Sequence, residues 1–189
     1  TQFRFPETSI GIYPALGGTQ RPARIAGREL GRWAVLAGNF MNAETASDFG
    51  LVTHLVDIND VPNCIKDIHA SGKPDNKYPG KPMNENSPVV KFAKKFFSDG
   101  NMAALLAGSC PDGFDAEDKT VARQLKSLKF TAPIGLAMAS ERIDATASMS
   151  LDEGLQLELQ GLDRIFSTED ALEGLSALIE GRRATYKNA

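Results

Sequence analysis

Cys64 and Cys110, with His54 and His69, are the only thiols and imidazoles that this chain of 189 residues offers to disulfide, zinc or nucleophilic chemistry. Neither cysteine has a second Cys or a His at metal-ligand spacing, which leaves a disulfide framework or a metal site without support. Reduced thiols and a cytoplasmic location are the expectation. His54 sits in a strand-like run and His69 beside a loop, neither near a Ser or Cys motif, so both read as structural. No apolar run approaches the ~18 residues that span a bilayer, and no charged-then-apolar leader opens the chain. No membrane partner is expected. Thr1 rather than Met stands first, which raises the expectation that something upstream has been removed. Charge of either sign is also short, because 21 Lys and Arg against 24 Asp and Glu leave a net of -3. That balance supplies neither the basic stripe of a nucleic-acid binder nor the acidic excess of a disordered tail.

What is present is a hydrophobic share of 42%, enough to bury a real core. Gln2-Phe3-Arg4-Phe5 alternates as a half-buried strand does, and Pro6 stops it by withdrawing a ladder N–H. Pro14 and Gly17-Gly18 mark a tight loop. Thr19 is the expected N-cap of a helix beginning at Gln20, with Pro22 tolerated in its first turn. Leu30, Trp33, Ala34 and Ala37 then fall at i, i+3, i+4 and i+7, the stripe of a packed helix ended by Gly38-Asn39. Asn42 is placed to cap a short helix with Glu44 in its first turn, and Leu51 to Val56 reads as a strand.

Residues 71 to 88 are rich in Gly, Pro, Asn and Lys and read as a long loop or linker, followed by an amphipathic helix at "VVKFAKKFF". The organisation expected is a core portion over 1–69, an insertion or linker over 70–125 without a functional reading, and a helical region over 126–189. In that last region Ser150 and Glu153 have capping-box spacing, and Leu151, Leu155, Leu159, Leu162 and Ile165 form an apolar seam. Ser167-Thr168-Glu169-Asp170 opens a further helix carrying Leu172, Leu175 and Ile179. Such seams bury either in an ordinary core or against another subunit.

One carboxylate stands out in "FRFPETSIGIYPALGGTQRPARIAG", residues 3 to 27: Glu7, alone among apolar and small polar neighbours. On composition and periodicity it reads as a solvated charge after a strand. Gly17-Gly18 lacks a GxGxxG or P-loop frame, so helix entry is the better reading of the pair than a phosphate cradle. Arg21 and Arg24 are expected to meet nearby acids or helix ends, with a phosphate contact left open.

"FPETSIGIYPALGGTQRPARIAG", then "LAGNFMNAETASDFGLVTHLVD" and the closing "SLDEGLQLELQGLDRIFSTEDALEGLSALIEGRR", resemble the second half of the enoyl-CoA hydratase/isomerase, or crotonase, superfamily. The resemblance implies an α/β spiral of strand-strand-helix repeats of which this chain holds a mainly helical C-terminal portion with a few short strands. It implies an acyl-CoA thioester as substrate, with coenzyme A arriving as part of it and no separate cofactor. It also implies a homo-oligomer, a trimer or hexamer. By position Glu7 matches the family's second glutamate, which exchanges a proton at the thioester α-carbon, and the N–H of Ala15 falls where water or substrate is held. The aromatic and lysine positions that face the CoA nucleotide are Leu178 and Gly181 here, leaving Arg182 or Arg183 to substitute for the charge. Ala15 after Pro14 counts against the 3-hydroxyisobutyryl-CoA hydrolase branch, which has an acid there. Hydratase and isomerase both stay open. In full-length relatives the first glutamate and both oxyanion donors lie upstream of the matching segment, so a missing N-terminal half is an expected partner. An inactive oligomerisation module is the alternative from another class.

Overall fold

The structure, a computed structural model, describes residues 1–75, 78 and 80–189. Two strands, β1 (Gln2–Phe3) and β2 (Met41–Asn42), pair antiparallel with Gln2 opposite Asn42 and Phe3 opposite Met41. The strand expected over residues 2 to 5 stops at Phe3 because its partner stops: Asn42 turns its side chain to accept from the Thr45 N–H at 2.8 Å and caps α3 (Ala43–Asp48). The strand expected over Leu51 to Val56 does not form. The N–H groups of Leu51 and Val52 donate back to the Ala46 carbonyl at 2.9 and 3.2 Å, so the run is bonded to the end of α3 rather than to a ladder.

Between the strands, α1 (Arg21–Ala26) and α2 (Arg28–Val35) meet at Gly27, whose φ of +93° few other residues adopt. Thr19 is not the cap of α1. Gln20 occupies that position without a side-chain cap, and the Thr19 hydroxyl is engaged elsewhere. The apolar stripe of α2 is buried as its spacing predicts, and Trp33 meets Phe49 edge to face with ring centroids 5.0 Å apart.

After α4 (Val61–Ser71), the loop expected over 71–88 includes positions 76, 77 and 79, which lie outside the described residues. The stretch beyond it is built into the core. Phe96 and Phe97 of α5 (Pro88–Phe96) and its cap, Leu105 of α6 (Met102–Leu106) and Val121 of α7 (Lys119–Lys129) share one apolar cluster with Leu30 and with Ile143 of α8 (Pro133–Ala145). Arg32 ties these parts together: its buried guanidinium donates to the Phe97 carbonyl at 2.8 Å and pairs with Asp99 and Asp144.

The C-terminal helices are α9 (Leu151–Gln160), α10 (Leu162–Phe166) and α11 (Glu169–Glu180). The Ser150–Glu153 capping box forms, and Thr168 caps α11 by accepting from the Ala171 N–H at 3.0 Å. The leucine seam is not what α9 buries. Its inward face is Gly154, Glu158, Gly161 and then Ile165, whereas Leu159 stays 46% exposed. A Cβ at Gly161 would lie 1.9 Å from Arg142 Nη2 and 2.6 Å from the Tyr13 hydroxyl, so a larger residue there must displace those two side chains.

Candidate active site

Glu7 opens a single 3-10 turn, Glu7–Ile10, started by Pro6 and closed by Gly11 at φ +91°. Four distant parts of the chain hold that turn. Thr8, fully buried, donates its hydroxyl to the Val35 carbonyl at 3.3 Å, and its own carbonyl accepts from the Ala132 N–H at 2.9 Å. Tyr186 donates to the Ser9 carbonyl at 2.7 Å. Gly174 of α11 approaches so closely that a Cβ there would lie 2.3 Å from the Ile10 carbonyl.

So held, Glu7 lines a cavity of about 420 Å³ whose other walls are largely apolar, including Phe3, Phe5, Pro22, Ile25, Met41 and Val52. Among the described lining residues Glu7 is the only carboxylate and Arg21 the only cation. Glu7 is half-buried and its Oε2 is buried without a hydrogen-bond partner among the described residues. Burial pushes its pKa above the ordinary glutamate value, against smaller downward pulls from its own backbone N–H and from Arg4. A carboxyl in this setting is suited to hold a proton and to release it to a bound molecule.

The loop Pro14 to Gly18 lines the same cavity. Leu16 adopts φ +57° and Gly17 φ +93°, and Leu16 stands 80% exposed. A left-handed leucine is strained and persists only where its surroundings fix it. Arg21 fixes one side by donating to the Leu16 carbonyl at 2.5 Å. Glu158 fixes the other: its fully buried carboxylate accepts from the N–H groups of Gly17 and Thr19 at 2.6 and 3.0 Å and from the Thr19 hydroxyl at 2.5 Å. Tyr13 donates to the Glu158 backbone carbonyl.

The structure therefore brings Glu7 and Ala15 to one cavity and leaves the two arginines elsewhere. Arg182 forks onto Glu173 at 2.6 and 2.8 Å and reaches Glu180 at 2.5 Å, while the Arg183 guanidinium lies 4.2 Å from the centre of the Phe130 ring. Arg24 meets a helix end, as expected: it donates to the carbonyls of Met149 and of Ser150, the cap of α9, at 2.8 and 2.9 Å. His54 is half-buried in a loop, its Nδ1 2.9 Å from the Thr53 hydroxyl. Both cysteines are free thiols, and among the described residues no helix is long and apolar enough to cross a membrane. Glu158 was not singled out from sequence. The signal for it is a carboxylate framed by Gly154 and Gly161 on one helical face, which the more conventional stripe of the neighbouring leucines masks.

Comparison with known proteins gives the family and the fold. The mitochondrial enoyl-CoA hydratase of Pongo abelii is 27% identical over 187 residues, 99% of this chain and 45% of that protein. The mitochondrial 3-hydroxyisobutyryl-CoA hydrolase of Xenopus tropicalis is 25% identical over 201 residues, 99% of this chain and 51% of that one. A solved enoyl-CoA hydratase from Rhodobacter sphaeroides 2.4.1 superposes with a TM-score of 0.74 at 27% identity, covering 95% of this chain and 52% of its own. A carnitinyl-CoA dehydratase from Mycobacterium thermoresistibile gives 0.74 at 20% identity over 97% of this chain and 54% of its own, a likeness of fold. The chain thus spans about half the length of the relatives it matches, and its architecture is the mainly helical, crotonase-like C-terminal portion expected from sequence. With the family description "Enoyl-CoA hydratase/isomerase" matched across residues 1–187, the chain belongs to the enoyl-CoA hydratase/isomerase family.

Proposed function

We propose that the chain supplies the proton-exchange half of an enoyl-CoA hydratase acting on acyl-CoA thioesters, with Glu7 as the acid and base at the α-carbon. The observation that carries this reading is the half-buried Glu7 carboxyl, one oxygen unpartnered, on an apolar cavity with no other acid among its described lining residues. Hydration of a 2-enoyl thioester adds a water oxygen at Cβ and a proton at Cα through an enolate-like state. Glu7 delivers the Cα proton, becomes a carboxylate, and is reprotonated at the expense of water. Coenzyme A enters only as part of the substrate. The donors that stabilise the thioester oxyanion come from an upstream half of the domain, the expected partner.

Hydrolysis is less well supported, because the position after Pro14 is Ala15 and brings no acid to the cavity wall. An isomerase uses the same Glu7 to lift a proton from one carbon and return it to another. An assembly role is favoured by a separate observation: Leu172, Leu178 and Ile179 are 70%, 60% and 86% exposed on α11.

Crotonyl-CoA hydration by residues 1–189 alone, and again with the upstream polypeptide added, tests the proposal. Little turnover is expected from the isolated chain, since each oxyanion donor is worth ~2.7 to 4 kcal/mol. Activity is expected to appear on reconstitution and to be lost with Glu7→Gln. Full activity in the reconstituted Glu7→Gln protein overturns the assignment.

A further inference from the structure

We propose that Glu158 is a positioning residue for the Glu7 site: its carboxylate, 139 to 141 residues away in sequence, shapes the Gly17–Thr19 backbone and through it the cavity wall. The inference rests on the function proposed above.

Glu158 is completely buried, and among the described residues no Lys or Arg pairs with it. Its charge is met by two N–H groups and one hydroxyl from a single short loop. Charge-assisted bonds of this kind are short and directional, so the loop and the carboxylate fix each other. The strain lies beside them, at Leu16 with φ +57°, whereas Gly17 takes φ +93° freely. Residues on either side of Gly17, Ala15 and Leu16 among them, line the cavity that Glu7 enters. The back of the loop is thus bound to α9 and its front faces the reacting space. Gln20 reinforces the arrangement by donating to the Thr19 hydroxyl at 3.1 Å and to the Arg142 carbonyl at 2.9 Å.

Glu158→Gln keeps the shape but sets an NH2 group against either the Gly17 N–H or the Thr19 donors, which meet different carboxylate oxygens, and the loop is expected to relax. A displacement of about 1 Å at such a wall is expected to lower kcat by roughly 100-fold with little change in KM. Amide hydrogen exchange read in parallel separates positioning from general destabilisation: residues 15–19 are expected to exchange faster while α2 and α8 keep their protection. Should Glu158→Gln fail to fold, Thr19→Val, which removes one of the three donors, is read by the same criteria.

Unchanged protection over residues 15–19 overturns the proposal, and so does a loosened loop with unchanged kcat in an active preparation. If the reconstituted wild type turns over no enoyl thioester, the functional reading fails. A loosened loop together with a shifted 13C signal from the Glu7 carboxyl then leaves the assignment of Glu158 standing.

Discussion

Two glutamates near one loop show how environment divides a single side-chain type. Glu158 is fully buried yet meets three donors, whereas Glu7 is half-buried with an oxygen that meets none. The raised pKa of Glu7 has a stability consequence whose sign follows from proton uptake. Between the unfolded value near 4.5 and the raised folded value, the native state binds more protons, so this residue's contribution is fully present below 4.5 and is lost as pH rises through the folded pKa. Glu7→Gln is therefore expected to raise Tm relative to wild type at pH 7 and to lose that advantage at pH 4, while catalysis falls by about 10²- to 10⁴-fold. Thermal unfolding at the two pH values checks the first part, and an equal difference at both would sink it. In the sequence, Glu7 was legible only through the motif that contains it. Periodicity describes which faces are apolar and carries no record of a turn pinned by Thr8, Ala132, Gly174 and Tyr186.

Among elements, α11 bears most directly on the site. Its Gly174 packs backbone to backbone against Ile10 and Gly11, with room for no Cβ at 2.3 Å from the Ile10 carbonyl. Gly174→Ala is expected to destabilise the fold by about 1 to 3 kcal/mol through overpacking. It is also expected to reduce turnover, because the turn that must give way is the one bearing Glu7; denaturant unfolding and kinetics on the same variant check both. The segment after α11 is tied down by charge. Arg182 and the Thr185 N–H hold the Glu173 carboxyl down to about 2, and buried Asp170 accepts from the N–H groups of Lys187 and Asn188 at 2.7 and 3.0 Å. Because the Glu173 value is depressed, its contribution is present above 4.5 and lost as pH falls toward about 2. The Thr185 amide is expected to lose protection over that range in wild type but not in Glu173→Gln, as read by amide exchange. Helices α2, α5, α9 and α11 were legible from spacing and caps. The Leu51 to Val56 strand was misread because a strand needs a partner that a local pattern cannot report, and the inward face of α9 was misread because glycine carries no hydropathy signal for close approach.

For the molecule as a whole, surface area decides what the exposed leucines mean. A monomer of 20.4 kDa is expected to expose about 8,800 Å², whereas this chain exposes 10530 Å². The excess, with Leu172, Leu178 and Ile179 standing out from α11, is the condition under which apolar faces find partners. Self-association is expected in sedimentation velocity, and replacing both Leu172 and Ile179 by lysine is expected to shift the boundary toward monomer; a wild type that stays monomeric across concentrations counts against it. A final consequence concerns the order of assembly. The turn that presents Glu7 is bonded to Ala132 and Tyr186, both far along the sequence from it. Contacts of such sequence separation close late, after local helices have formed. During synthesis the Glu7 carboxyl is thus left open to water until these later segments have emerged, so its half-buried setting is completed in a single late step rather than accumulating as the chain grows.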